Sequence, residues 1–490
     1  MTAAAASARL RGGVKITFLG TMFSGVIQAA TMVILARLLK PLDYGFYIVC
    51  LSINALSVSF FISALERAMV LEADETAIRG RALPLVVFLV AVAGLTVAIC
   101  GAIREATGWQ VDLRVLAIML GAQALAGLAI VPRALLRRHV SFARIVGGEL
   151  CGQLFGSFAL AAVLAKLGWG PFALASGFAA AQVIAAACVF STAPAGLLRL
   201  RLDGTRGLLR TMLGVVKVAS LEAVNGQITP VAVTSVLGAA ALGLFNRVYN
   251  LVTLPVQLLV SSVNRVMISG LVAVADDHDR RRDAIRKLMR VVSTVITPLA
   301  LGVAGAGRTF VAVVLGDKWV AAVPIIPLLS IAVVANMMGT VLGQLAESVQ
   351  RFNDKVRVQA LSTVLLVTAL LIGGHWGLTG VAAGAATGAL LFFFLYMRLT
   401  SAIIAVPMAR LMRWLAPSWA AGLASYAGAR GVDALMPAAA GIYVTLAAQI
   451  AACGAAATLT LLLLDRPLLL DISRMLLPDR VHGIVMKILG

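Results

Sequence analysis

Apolar runs of about twenty residues recur from one end of this 490-residue chain to the other, and nothing else in the sequence constrains the fold as strongly. A run of that length crosses the hydrocarbon core of a bilayer, roughly 30 Å, as an α-helix. Within lipid every backbone N–H and C=O must be satisfied by the protein itself, which leaves helices or closed barrels. Period-2 alternation is missing, so a barrel is disfavoured. With 61% hydrophobic and 13% charged residues, the chain carries more apolar surface than soluble cores absorb. The predicted fold is all-α: a polytopic membrane protein of about 14 transmembrane helices.

The predicted spans fall near 16–36, 46–65, 82–103, 115–132, 145–165 and 171–191, then 218–236, 245–270, 291–315, 324–346, 358–373 and 378–397. A last pair lies near 414–429 and 440–464. The first run, Ile16–Ala36, is long enough to be a retained span rather than a signal peptide.

One stretch occurs twice, 198 positions apart. Residues 39–70 align without a gap on residues 237–268, and 7 of the 32 pairs are identical, among them Gly45 with Gly243, Ser63 with Ser261 and Arg67 with Arg265. Spans three to six, shifted by the same offset, land close to spans nine to twelve. A duplicated unit of six helices is the layout of a two-lobed transporter with parallel repeats. The expected division is an N-lobe over 1–198, an interfacial linker over 199–217, a C-lobe over 218–398, and an extra helix pair with a cytoplasmic tail over 399–490.

The formal net charge of +20 invites a nucleic-acid reading, which its distribution removes. With the N-terminus inside, alternate connections hold 31 of the 41 Lys and Arg residues and the opposite set holds 7. That asymmetry is the positive-inside rule for a multi-pass protein with both termini cytoplasmic. The five cysteines sit in apolar spans at unrelated spacings and read as small core hydrophobes. No phosphate-loop, HExxH, GxSxG or dinucleotide pattern is present, so no metal, cofactor or catalytic residue is expected.

Loops are short, and function must therefore lie between the helices. Polar groups inside spans are the pointers, because lipid makes them costly. Span eight carries Arg247 and Arg265, 18 residues apart and so five full turns along one face, separated by roughly 27 Å. Asn250, Ser261 and Ser262 lie near that stripe. Cations at both mouths with small polar groups between them suit an anionic, hydroxyl-rich substrate; the competing reading is that the arginines snorkel and anchor the helix. Span seven carries Glu222, Asn225 and Thr229 on one face, where Glu222 is a candidate for ion coupling or for a structural ion pair. Span one carries Thr21, Ser24, Gln28 and Thr31, a polar stripe without an acid. Arg67 ends span two beside Glu66, in register with Asn264 and Arg265. Basic residues at 199–217 and 280–287 read as interfacial segments facing anionic headgroups.

The segments LARLLKPLDYGFY, LGAAALGLFNRVYNLVTLPVQ and GDKWVAAVPIIPLL, in that order, resemble the polysaccharide-transporter branch of the multidrug/oligosaccharidyl-lipid/polysaccharide exporter superfamily, the group of Wzx-type flippases of lipopolysaccharide and exopolysaccharide biosynthesis. The resemblance extends over roughly residues 12–400, with Phe245 where the family pattern often has tyrosine. It implies two pseudo-symmetric six-helix lobes around a cavity. It also implies alternating-access transfer of an undecaprenyl-pyrophosphate-linked oligosaccharide across the bacterial inner membrane. The drive would be a proton or sodium gradient or the membrane potential. Arg67, Arg247 and Arg265 become the candidates for pyrophosphate or acidic-sugar contacts, and Asn225, Asn250 and Ser261 for sugar hydroxyls. Polymerase and chain-length proteins of the pathway are the implied protein partners. A multidrug/cation antiporter would carry acids in its first span, and Ile16–Ala36 has none. A membrane-embedded glycosyltransferase or polymerase would need catalytic acids or a long periplasmic loop. A peptidoglycan-precursor flippase stays open as an alternative.

Overall fold

The computed structural model describes residues 3–71, 82–109, 111–138, 141–191, 224–257, 278–437 and 441–465. Among these residues the fold is helical throughout. The chain forms two compact units, Met1–Leu244 and Phe245–Gly490. Their boundary lies further along the chain than the expected division at 198/199.

In the first unit α1 (Ala3–Leu38) is followed by α2 (Pro41–Leu56) and α3 (Val58–Leu71), which together make the second span. Proline at the first turn of α2 costs no hydrogen bond, because that N–H has no partner in the helix anyway. The span breaks at Ser57 (φ −113°, ψ −103°), whose hydroxyl donates to the Ile53 carbonyl at 2.7 Å. A side chain that bonds back to the preceding turn is a recognised cause of helix bending. Next come α4 (Ala82–Thr107) and α5 (Leu113–Ala126). Asp112 caps α5 by accepting from the Arg114 and Val115 amides. A single 3₁₀ turn leads into α6 (Ile130–Arg138).

The fifth span is α7 (Phe142–Cys151), a π-helix (Gly152–Leu160) and α8 (Ala161–Lys166). It packs on the sixth, α9 (Pro171–Phe190). Glycine explains how closely. A Cβ on Gly148 would press on Cys188 and the Ala185 carbonyl, and one on Gly152 or Gly156 would strike the Ala181 backbone. Lipid tails are as apolar as leucine, so helices associate in a bilayer through close packing of small residues, not through a hydrophobic drive.

Helix α10 covers Val224–Gln257. Straight, its 34 residues would reach about 51 Å, well beyond the hydrocarbon thickness. Gly238 resolves this: its φ of +82° is left-handed, and a right-handed helix turns there. The 198-residue offset places Gly238 on Lys40, the residue that separates α1 from α2. The two copies then touch, reciprocally. A Cβ on Gly45 would collide with the Ala239 carbonyl, and one on Gly243 with the Pro41 carbonyl. Ala239 is the counterpart of Pro41, so each copy offers the same glycine to the same carbonyl of the other, as in an isologous contact.

The second unit continues with α11 (His278–Gly305), α12 (Gly307–Val314), a 3₁₀ segment (Asp317–Ile325) and α13 (Ile326–Ser348). It ends with α14 (Phe352–Gly374), α15 (Gly377–Ile404), α16 (Met408–Leu435) and α17 (Ile442–Leu464). Helices α14 and α15 repeat the glycine solution, since a Cβ on either Gly373 or Gly380 would meet the other's carbonyl. Helix α16 packs on α11 through the Thr294–Ser418 hydroxyl pair (2.7 Å) and through Gly305, which faces Tyr426. Asp465, just past α17, pairs with Arg290 of α11. The basic run Arg280–Arg282 opens α11 and is helical. Extending the helix satisfies backbone groups that a loop at the interface would leave to water. The turn also sets the Arg286 guanidinium 5.7 Å from the Trp414 ring centroid.

Twelve of the described helical stretches are long and apolar enough to span a membrane. Helix α10 counts once there despite its turn, and α16 (Met408–Leu435), with Trp, Pro, Ser and Tyr along it, is less apolar and is not among them. Restoring both gives the fourteen spans expected from hydropathy.

Candidate functional site

Arg247 lies on α10 in the second unit, partly buried. Three residues on, Asn250 donates its amide to the Asn246 side-chain oxygen at 2.6 Å. Tyr249 stacks on Phe245 (ring centroids 6.3 Å apart, planes 8° apart) and its hydroxyl meets Asn336 of α13. By helical geometry Arg247 and Asn250 lie within about 60° of each other, while the aromatic pair stands about 160° from Arg247, on the opposite side of the helix. Asn225 stands at the start of α10, partly buried, in the first unit. Glu222, Ser261, Ser262 and Arg265 lie outside the described residues, as do 199–217. Arg67 is on α3, with its side chain outside what is described.

The Glu66 carboxylate has partners that chain adjacency did not reveal. Only 7% exposed, it meets the Arg137 guanidinium at 3.2 Å and Arg133 at 4.0 Å, both from α6. A buried carboxylate is tolerable when cations face it this closely. The Arg133 Nε is buried without a hydrogen-bond acceptor. The signal in the sequence was Arg133 and Arg137 at i, i+4 directly after an apolar run, which places both on one helix face.

One cavity in each unit is lined by other residues. In the first, about 600 Å³ is bounded by Thr107, Trp109, Thr234 and Ser235. In the second, about 330 Å³ between α11, α16 and α17 is almost wholly apolar, lined by Pro298, Phe310, Leu446 and Ile450. Of the cysteines, Cys50 and Cys100 are buried as expected, while Cys151 is exposed. Among the described residues no cluster of His, Cys, Asp or Glu is arranged to hold a metal.

An all-helical, multi-pass membrane protein with cationic and amide groups inside its spans is what fold and site define. The chain belongs to the polysaccharide biosynthesis protein family, whose profile matches residues 34–324. It is 30% identical over 183 residues to a membrane protein of the cps region of Klebsiella pneumoniae, a match covering 36% of this chain and 38% of that protein. It is 28% identical over 161 residues to the lipopolysaccharide biosynthesis protein WzxC of Escherichia coli, covering 33% of each. The chain thus spans about a third of the length of these curated relatives. In fold it is similar to the lipid II flippase MurJ in an inward closed conformation (TM-score 0.73, 11% identity, 93% of this chain and 100% of that one).

Proposed function

We propose that this protein is a flippase carrying undecaprenyl-pyrophosphate-linked oligosaccharide repeat units from the cytoplasmic to the periplasmic leaflet, for O-antigen, capsule or exopolysaccharide assembly. The observation that carries the reading is Arg247. It is partly buried within a span of a family member, and an ionisable residue inside a membrane span marks a functional site by default. Its planar fork suits pyrophosphate oxygens. Arg67 and Arg265, in register across the repeat, are the further anion contacts, with Asn225, Asn250 and Ser261 offered to sugar hydroxyls. The apolar cavity of the second unit has the chemistry that a polyprenyl chain requires.

In this reading the protein catalyses no covalent step. It works by alternating access between two lobes, driven by a proton or sodium gradient or by the membrane potential, with Glu222 as the coupling group. It resides in the inner membrane with both termini cytoplasmic, beside the polymerase and chain-length proteins that consume its product. The test is complementation of a strain lacking the native gene. Arg247→Ala is expected to abolish surface polymer at unchanged membrane abundance, with lipid-linked repeat units accumulating inside, while Arg247→Lys retains part of the export. Normal polymer from Arg247→Ala would remove this residue from the site.

A further inference from the structure

The polar stripe of the first span is joined to the π-helix of the fifth. Ser24 of α1 donates to the Gln153 side-chain oxygen at 2.8 Å, and Gln28 donates its amide to the Ser24 hydroxyl at 3.2 Å. The result is a continuous chain, Gln28 to Ser24 to Gln153, across two spans. At 100° per residue Thr17, Thr21, Ser24, Gln28 and Thr31 share an arc of about 80° on α1. The exposed apolar residues Leu19, Phe23 and Val26 stand about 120–180° away and make the lipid-facing side. Gln28 is nevertheless exposed. An exposed primary amide turned away from the lipid face of a membrane helix has to meet water or a polar ligand.

The π-helix is the second observation. Nine residues in this geometry are rare, and π segments recur at functional sites. Here Gly152 and Gly156 press against Ala181 of α9 on one side, while Gln153 is directed to α1 on the other. The π geometry and the amide that reaches α1 therefore fall in the same segment. Thr21 and Thr31 return their hydroxyls to the Thr17 and Ile27 carbonyls, so they are occupied. Gln28 keeps a second amide hydrogen and its carbonyl oxygen for a ligand. The charged group one turn before Gln153 is Glu149, a carboxylate and exposed. Beside it a phosphate or acidic sugar is repelled, whereas hydroxyls are good donors to it.

We infer that Gln28, Ser24 and Gln153, with Glu149 alongside, form a subsite for the neutral, hydroxyl-bearing part of a glycan, distinct in chemistry from the arginine contacts. Amides and hydroxyls linked in a chain polarise one another and present paired donor and acceptor groups that match adjacent sugar hydroxyls. This rests on the flippase reading, and the experiment keeps the two apart. With the native cysteines replaced by alanine, Gln28→Cys is expected to react with a water-soluble thiosulfonate at least tenfold faster than Phe23→Cys or Val26→Cys. Equal rates would overturn the inference, because the face would not be wet.

In nanodiscs, saturation transfer from the protein to the free repeat-unit oligosaccharide, cut from the host's own surface polymer, reads binding without transport. The Gln28→Leu/Gln153→Leu variant is expected to lose at least fivefold of that signal at an unchanged melting temperature. Thr21→Val should keep it. An undiminished signal, or a loss explained by a lower melting temperature, would sink the subsite. Failure of the unaltered protein to restore polymer in the deletion strain would instead sink the flippase reading, and the binding arm would still decide the subsite.

Discussion

Glu66 shows what single residues contribute here. Its partners lie on α6, and removing the carboxylate leaves Arg133, 16% exposed, and Arg137, 43% exposed, without their shared counter-charge. Glu66→Ala is expected to destabilise the protein by about 1.5–3 kcal/mol, the range for losing hydrogen bonds to a charged group. A fall in melting temperature and membrane abundance would register it. Replacing Glu66 and Arg137 together by leucine should recover most of the loss, since an apolar pair needs no counter-charge. Recovery no better than in the single variant would remove Arg137 as the main partner. In the sequence Glu66 is only the neighbour of Arg67, and i and i+1 do not share a helix face, so adjacency says nothing of its partners. Arg247, by contrast, was legible: an arginine inside an apolar run stands out whatever it touches.

Elements in this protein are held by glycine. Gly148, Gly152 and Gly156 recur every fourth residue in GGELCGQLFG, and each lets α9 approach to backbone contact. Gly152→Leu is expected to cost about 1–3 kcal/mol through overpacking against Ala181, seen as a lower melting temperature in detergent. Gly147→Ala, next in the chain to Gly148 but with open space at its Cβ, should stay within about 0.5 kcal/mol of wild type. The spacing is legible in the sequence, but which helix those glycines admit is not. The π-helix was not readable, because a shift from i+4 to i+5 bonding follows from what the helix packs against. Helix α10 shows the converse. Its turn at Gly238 follows from a residue type that tolerates φ of +82°, in register with the α1–α2 connection.

At the scale of the whole molecule, the charge asymmetry predicts an orientation that labelling can read. Gly108→Cys, between α4 and α5, is expected to react with a membrane-impermeant maleimide from outside intact cells. Gln350→Cys, between α13 and α14, should react only after the membrane is opened. The reverse pattern would overturn the cytoplasmic placement of the termini. The weak internal echo of 7 identities in 32 gains a physical meaning from the reciprocal contact of Gly45 with Ala239 and Gly243 with Pro41. A bulkier residue at either glycine, such as Gly243→Val, is expected to lower stability or export similarly, because the contact is the same one seen from two sides. By itself the sequence determined the helical class, the number of spans and the family resemblance. These depend on hydropathy summed over some twenty residues and on motifs in order, which single contacts do not alter. Only the tertiary structure decided that Glu66 meets α6, that Gln153 reaches Ser24, and that the two copies meet at their glycines. Each of these depends on how a helix is rotated about its axis, where one residue is worth 100°.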